Sequence, residues 1–278
     1  MMYRIYVDTP CGQVHARTAG SGPEVVLLLH QTASSSEMYE AFAAKFLEAG
    51  HGERYTLIAP DTPGFGMSFV PREQYALQWW ADDMIALLDA LSVKHAHLLG
   101  HHTGAAIAAA IAARHPGRTA SLAMVGAVAM SPEDRARWHS GVTAMTPAAG
   151  GAHLLTAWEQ VGTIDADLAF APDVALRHRE VVDKLRAGAR WHEAYLAVFS
   201  TDVGALLEVV AAPALLLCGT SDVLHPYVPE TRRTIPHARY VPLEGGGYIL
   251  DQDPAAVLEH YIEFLTDVSE EVECPPAR

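Results

Sequence analysis

One stretch constrains this chain more than any other: Leu98-Leu99-Gly100-His101-His102-Thr103-Gly104-Ala105. It follows a short apolar run at 95–99 and leads into an alanine-rich run that ends at Arg114. The first run reads as a strand and the second as a helix, so the chain must turn sharply between them. Gly100 and Gly104 permit that turn and let helix and strand approach closely. The residue held up between them, into whatever cleft lies above, is His102.

The rest of the chain fits around this unit. Continuous apolar runs at 25–29, 55–59, 121–128 and 214–218 read as strands buried on both faces, the pattern of a parallel sheet. Residues 2–7 and 13–19 alternate around Pro10-Cys11-Gly12 and predict an antiparallel hairpin at a sheet edge. Residues 239–243 read as a further strand. Helices are predicted at 37–48, capped from Ser34 to Ser36, and at 74–91. A closing helix is predicted at 254–268, with Leu258, Tyr261, Ile262 and Leu265 on one face. The tail, 269–278, is polar and reads as frayed. Between 131 and about 207 the pattern is helical, with no convincing strand. The expected fold class is therefore α/β: a mostly parallel sheet flanked by helices, with core residues 1–130 and 210–278 and an inserted helical cap at 131–209. In such a sheet the ligand sits beyond the carboxyl ends of the strands.

Composition narrows the function classes. With 278 residues and a formal charge of −14, the chain lacks the basic surface that a phosphate backbone requires, which argues against nucleic acid. No apolar run reaches the length of a membrane span. The N-terminal residues show no signal-peptide pattern. Cys11, Cys218 and Cys274 are scattered, so a reducing, cytoplasmic setting is the expectation. Fifteen histidines include no H-x-x-x-H or H-E-x-x-H spacing, and no glycine loop of a nucleotide or flavin site occurs. No cofactor and no metal are expected; the partner expected is a small molecule. Oligomeric state is not readable.

Several motifs then occur in a telling order. They are His30-Gln31-Thr32 after the first parallel strand, Asp61 to Ser68 (D-x-x-G-x-G-x-S), the Gly100–Gly104 elbow, Cys218-Gly219-Thr220-Ser221-Asp222, and Glu244 to Tyr248 followed by Asp253-Pro254. In this order they resemble the α/β-hydrolase superfamily over nearly the whole chain. The elbow matches its G-x-S-x-G frame, and the inserted block resembles that of the haloalkane dehalogenase, epoxide hydrolase and C–C hydrolase branch. The resemblance implies an oxyanion loop at His30-Gln31-Thr32 and a triad acid at Asp222. The chain departs from the family at the other triad positions. His102 stands at the nucleophile position. Gly247 or Tyr248 stands where the family has its late histidine, and Gln31 where the oxyanion-loop glycine lies.

A serine nucleophile needs a base, and that base needs an orienting carboxylate. Two of these three parts have changed together, and an imidazole reaches further from its Cα than a hydroxyl does. The reading that follows is a His102–Asp222 dyad, with His102 as general acid and base. His102 as nucleophile, as a substrate hydrogen-bonding group, or as filler of a dead cleft are the alternatives. The amides of Thr103 and of Thr32 or Gln31 are the candidate oxyanion donors. The Gln31 side chain either joins them or ties two loops together. Tyr248 either donates to substrate or packs, and His225, three residues after Asp222, is a further candidate for the cleft. His30 and His101 read as structural, and Asp61 as a brace of the Gly64–Gly66 turn. Trp138, His139, His153, Trp158, Trp191, His192 and Tyr195 in the inserted block suit an aromatic or amphipathic substrate, or simply packing. Three function classes remain open: a hydrolase of an ester, amide or C–C substrate; a lyase, decarboxylase, isomerase or cyclase that only moves a proton; and a binding protein without catalysis.

Overall fold

The computed structural model describes residues 2–163 and 168–273. Its eight strands are β1 (Tyr3–Thr9), β2 (Gly12–Gly20), β3 (Glu24–Leu29), β4 (Tyr55–Pro60), β5 (Ala96–His101), β6 (Thr119–Val125), β7 (Ala214–Gly219) and β8 (Arg239–Leu243). They form one sheet in the order β1-β2-β4-β3-β5-β6-β7-β8. The β1–β2 hairpin is antiparallel and pairs antiparallel with β4, while every later pairing is parallel.

The apolar strands serve two cores at once. Successive side chains point to opposite faces of a sheet. Val26 and Leu28 of β3 therefore join the face covered by α1 (Glu40–Glu48) and α11 (Pro254–Glu273), and Leu27 and Leu29 join the face covered by α2 (Leu77–Ala90) and α3 (Thr103–Arg114). Leu122 and Met124 against Ala123 and Val125 divide β6 in the same way. Helix α3 is buried from Thr103 to Ala112. Its alanines bring its backbone down onto the sheet, where bulkier side chains would hold it off.

The observed boundaries differ from the predicted ones where tertiary contacts intervene. The helix predicted from 37 begins as a tight 3₁₀ turn, Ser36–Tyr39, capped by Ser35, before α1 takes over. Helix α2 starts at Leu77 rather than 74, because Tyr75 is pulled inward against Phe65 and Trp80. Strand β5 runs on to His101, since its ladder with β6 continues through Gly100–Met124 and His101–Val125. The elbow helix accordingly starts at Thr103. Strand β6 stops at Val125, where Gly126 takes φ +93°. The predicted fraying of the tail fails at its beginning: α11 continues to Glu273, and Arg54 donates to Ser269 Oγ at 2.6 Å. Residues 274–278, with Cys274, lie outside the described residues.

Between β6 and β7 the described elements are helical: α4 (Pro132–Gly141), α5 (Ala152–Gly162), α6 (Val174–Arg186), α7 (Glu193–Ser200) and α8 (Val203–Leu207). The remaining helices, α9 (Val228–Thr234) and α10 (Ile249–Gln252), flank β8. Among the described residues no helix is long and apolar enough to cross a membrane.

Candidate active site

The elbow explains both of its glycines. A Cβ on Gly104 would lie 1.9 Å from the Leu29 carbonyl oxygen, and one on Gly100 would lie 2.2 Å from that of Gly104. Strand and helix thus cross with backbones in contact, which only glycine allows. Between them His102 has φ +47° and ψ −109°. A non-glycine residue in this region stores about 1–3 kcal/mol of strain. Its N–H bonds the Val125 carbonyl at 2.9 Å and its C=O accepts from Ala106 at 3.1 Å, which hold it there.

From this perch the imidazole reaches the end of β7. His102 Nε2 and Asp222 Oδ2 are 2.8 Å apart, across 120 residues of sequence. Asp222 is 3% exposed, and its other oxygen accepts the Leu224 N–H at 2.8 Å. Burial opposes its charge. The attraction of the His102 ring, the hydrogen bond from it and the Leu224 amide outweigh that and hold the carboxyl below its ordinary range. Gly126 makes room for the ring: a Cβ there would sit 2.4 Å from His102 Cδ2.

His102 and Thr103 form part of the wall of a cavity of about 550 Å³. Thr103 starts α3, and the first N–H groups of a helix have no partner within it, so this end of the cavity offers amide donors and the positive pole of the helix dipole. Aromatic rings line the same cavity. Trp138 stacks on Phe199, Phe199 on Tyr195, and Tyr195 meets Trp191 edge to face.

The other expected site residues lie elsewhere. Gln31 is buried, and its amide donates to Glu180 Oε2 at 3.3 Å. Thr32 accepts the Tyr195 hydroxyl on its carbonyl at 2.9 Å. Both tie the loop after β3 to the helical block. Tyr248 is buried, with its hydroxyl 3.4 Å from the Val161 carbonyl. His225 opens a short turn after Asp222, and its N–H bonds the Asp222 carbonyl at 2.9 Å. None of these four lines the cavity. His30 is neutral by burial: its Nδ1–H donates to the Gln31 carbonyl while Nε2 accepts the Thr62 N–H, each at 2.8 Å. His101 is fully buried against His102, with ring centroids 4.3 Å apart, and its pKa is driven down by burial first and by the neighbouring His102 ring second. Asp61 accepts from His15, the Ser36 amide and the Met67 amide, and so braces the turn at Gly64–Gly66.

Helix α6 carries residues that sequence reasoning missed. Glu180 and Asp183 are buried although charged. Glu180 accepts from Ser34 at 2.8 Å and from Arg179 at 2.7 Å, and Asp183 accepts from Ser35 at 2.7 Å. Arg179 also pairs with Asp251 on α10. Burial raises the Asp183 carboxyl to about 6 against the pull of the Ser35 hydroxyl, with the Glu180 charge adding to the rise. Lys184, one turn on from Glu180, lines the cavity. The signal was present as charges at 180, 183 and 184, spaced to share one helix face. Which face docks is not written in the helix itself.

Comparison with known proteins agrees with this architecture. A family model described as alpha/beta hydrolase fold matches residues 24–254. A protein of Variovorax paradoxus (strain S110) named as a carbamate hydrolase, RutD, is 28% identical over 265 residues, covering 92% of this chain and 96% of that one. A 2-hydroxymuconate semialdehyde hydrolase of Pseudomonas sp. (strain CF600) is 42% identical over 76 residues, 27% of each chain. Mycobacterial relatives are 34% identical over 111 residues, and the matched stretch spans only 31% of their length. The enol-lactonase from Burkholderia xenovorans LB400 shares the fold, with a TM-score of 0.77 at 21% identity, over 94% of this chain and 100% of that one. With its sheet order, its glycine-framed elbow and a family model spanning residues 24–254, the chain belongs to the alpha/beta hydrolase fold family.

Proposed function

We propose that this protein is an enzyme that hydrolyses a small organic substrate with a His102–Asp222 acid–base pair, the helical block acting as a cap over the site. The observation that carries this reading is the 2.8 Å contact of His102 Nε2 with buried Asp222, at the wall of the cavity. The relatives named as hydrolases support the reaction class. With Nε2–H donated to Asp222, the basic lone pair lies on Nδ1. His102 Nδ1 takes a proton from a water molecule, and the resulting hydroxide adds to the substrate carbonyl. The oxyanion is met by amides at the start of α3, with Thr103 foremost. When the carbonyl re-forms, the imidazolium returns its proton to the departing group, so one water is consumed and the histidine is regenerated. General acid–base catalysis of this kind contributes about 10²–10⁴-fold.

A second reading, in which His102 moves a proton without hydrolysis, draws on the absence of Ser, Cys or Asp at residue 102. Both readings rest on His102, and isotope incorporation separates them. The test is turnover of a panel of p-nitrophenyl esters and of enol-forming carbonyl compounds in H₂¹⁸O, with wild type, His102→Ala and Asp222→Asn. Turnover with ¹⁸O in the product, lost in both variants, supports hydrolysis. Loss in both variants without ¹⁸O supports proton transfer. Equal turnover in wild type and His102→Ala overturns both, and binding without turnover leaves the binding-protein reading. A cytoplasmic setting fits the scattered thiols.

A further inference from the structure

The cavity carries a cation that the proposed chemistry does not use. Lys184 is 8% exposed and lines the same cavity as His102. Its ammonium lies 3.9 Å from the centroid of the Trp191 ring. Among the described residues it makes no hydrogen bond or ion pair. The nearby carboxylates are engaged elsewhere: Glu180 holds Ser34, Gln31 and Arg179, and Asp183 holds Ser35 and Arg186. An indole face attracts a cation but leaves its N–H donors unsatisfied. Trp191 itself has a buried indole N–H without a hydrogen-bond partner among the described residues.

Among the described residues the cavity wall is charged in one sense only. Its described lining includes Arg137 and Lys184 and no Asp or Glu. This occurs in a chain with 33 acidic and 19 basic residues. Arg137 is largely exposed, paired with Asp134 and donating to Tyr227. Lys184 is the buried charge of the two. Burying an ammonium without an anion is costly, and burial lowers its pKa to about 8, with Glu180 resisting. An incoming carboxylate would supply the missing acceptor and restore the full charge.

We propose that Lys184 is the binding residue for a carboxylate on the substrate, which makes the substrate class a small organic acid whose apolar or aromatic body lies along Trp138, Phe199 and Tyr195. This rests on the cavity being the substrate site, but it is testable without turnover. The probes are 3-phenylpropionate and its neutral isostere 3-phenylpropanamide, titrated by calorimetry and by Trp191 fluorescence. The proteins are wild type, Lys184→Met, Lys184→Arg and His102→Ala, each checked for folding by circular dichroism. Wild type is expected to bind the acid about tenfold or more tightly than the amide, as a charge-assisted contact should. Lys184→Met abolishes that preference with little change for the amide, Lys184→Arg retains part of it, and His102→Ala leaves it in place. In His102→Ala, where the imidazole cannot contribute, affinity for the acid falls as pH rises through about 8. Among the described residues Glu180 on α6 acts on the ammonium, Arg137 on α4 and Tyr195 on α7 line the same cavity, and Asp222 stands behind His102. No measurable binding of the acid, equal binding of acid and amide, or a preference that survives Lys184→Met overturns the proposal. Loss of ester turnover in His102→Ala with the acid preference intact would test the catalytic reading separately.

Discussion

Gly126 and His102 fit against one another. The glycine ends β6 at φ +93° and leaves its Cβ position to the histidine ring, which would otherwise be 2.4 Å away. The ring fills space that any larger residue at 126 would take. Gly126→Ala is expected to displace the ring and cost about 10²-fold in kcat/KM, the scale of a misplacement near 1 Å. Gly151→Ala is the control. It also has a positive φ, +75°, but its nearest neighbour, Leu154, lies at an ordinary 3.8 Å. Both variants should lose about 1–3 kcal/mol to backbone strain, and only the first should lose activity.

The dyad should show a characteristic stability pattern in urea denaturation. His102→Ala strands a carboxylate that is 3% exposed and should cost about 3–5 kcal/mol. Adding Asp222→Asn removes the stranded charge and should recover part of that loss, so the double variant is more stable than His102→Ala. The folded-state pKa of Asp222 lies below its ordinary value. Its contribution is thus present at neutral pH and fades as pH falls below the ordinary carboxylate value toward the depressed one. Strict additivity of the two substitutions would argue against coupling.

Asp183 titrates in the opposite sense. Its folded pKa is raised to about 6, so between its ordinary value and about 6 the folded state binds the extra proton. Stability from this group is greatest at low pH and is lost as pH rises through about 6. Asp183→Asn keeps an acceptor for Ser35 and removes the charge. It should stabilise the protein by about 1–3 kcal/mol at pH 7.5 and by roughly half as much at pH 5. Thermal melts at the two pH values check this, and equal effects at both would refute it.

Tyr248 offers a test of the late-histidine position. Its hydroxyl meets the Val161 carbonyl rather than the cavity. Tyr248→Phe is expected to lower kcat/KM by less than about threefold, with about 1 kcal/mol lost in stability, the usual net worth of one hydrogen bond. A loss of tenfold or more would mean that the phenol serves the substrate after all.

The fold was legible because its signals are local and repeated. Five apolar runs and two glycines four apart at 100 and 104 dictate buried strands and an elbow whatever lies around them. The approach of His102 to Asp222 was legible through the reach of an imidazole from a known type of turn. Gln31, Thr32, Tyr248 and His225 were expected at the cleft from strand-end position and do not line the described cavity, because a strand end fixes where a residue begins and not where its side chain points. Helix α6 supplied what was missed. Glu180, Asp183 and Lys184 look like a solvated charged face, and become buried only because Ser34, Ser35 and Gln31, some 150 residues earlier in the chain, meet two of them.

Asp222 has two oxygens, one held by His102 and one by the Leu224 amide. Each oxygen thus carries one donor, and the buried charge is compensated from two sides. His102→Ser alone would take one of those donors away without supplying another. The side chain at the elbow is therefore coupled to the far end of the sheet, and exchanging it calls for a new donor to Asp222.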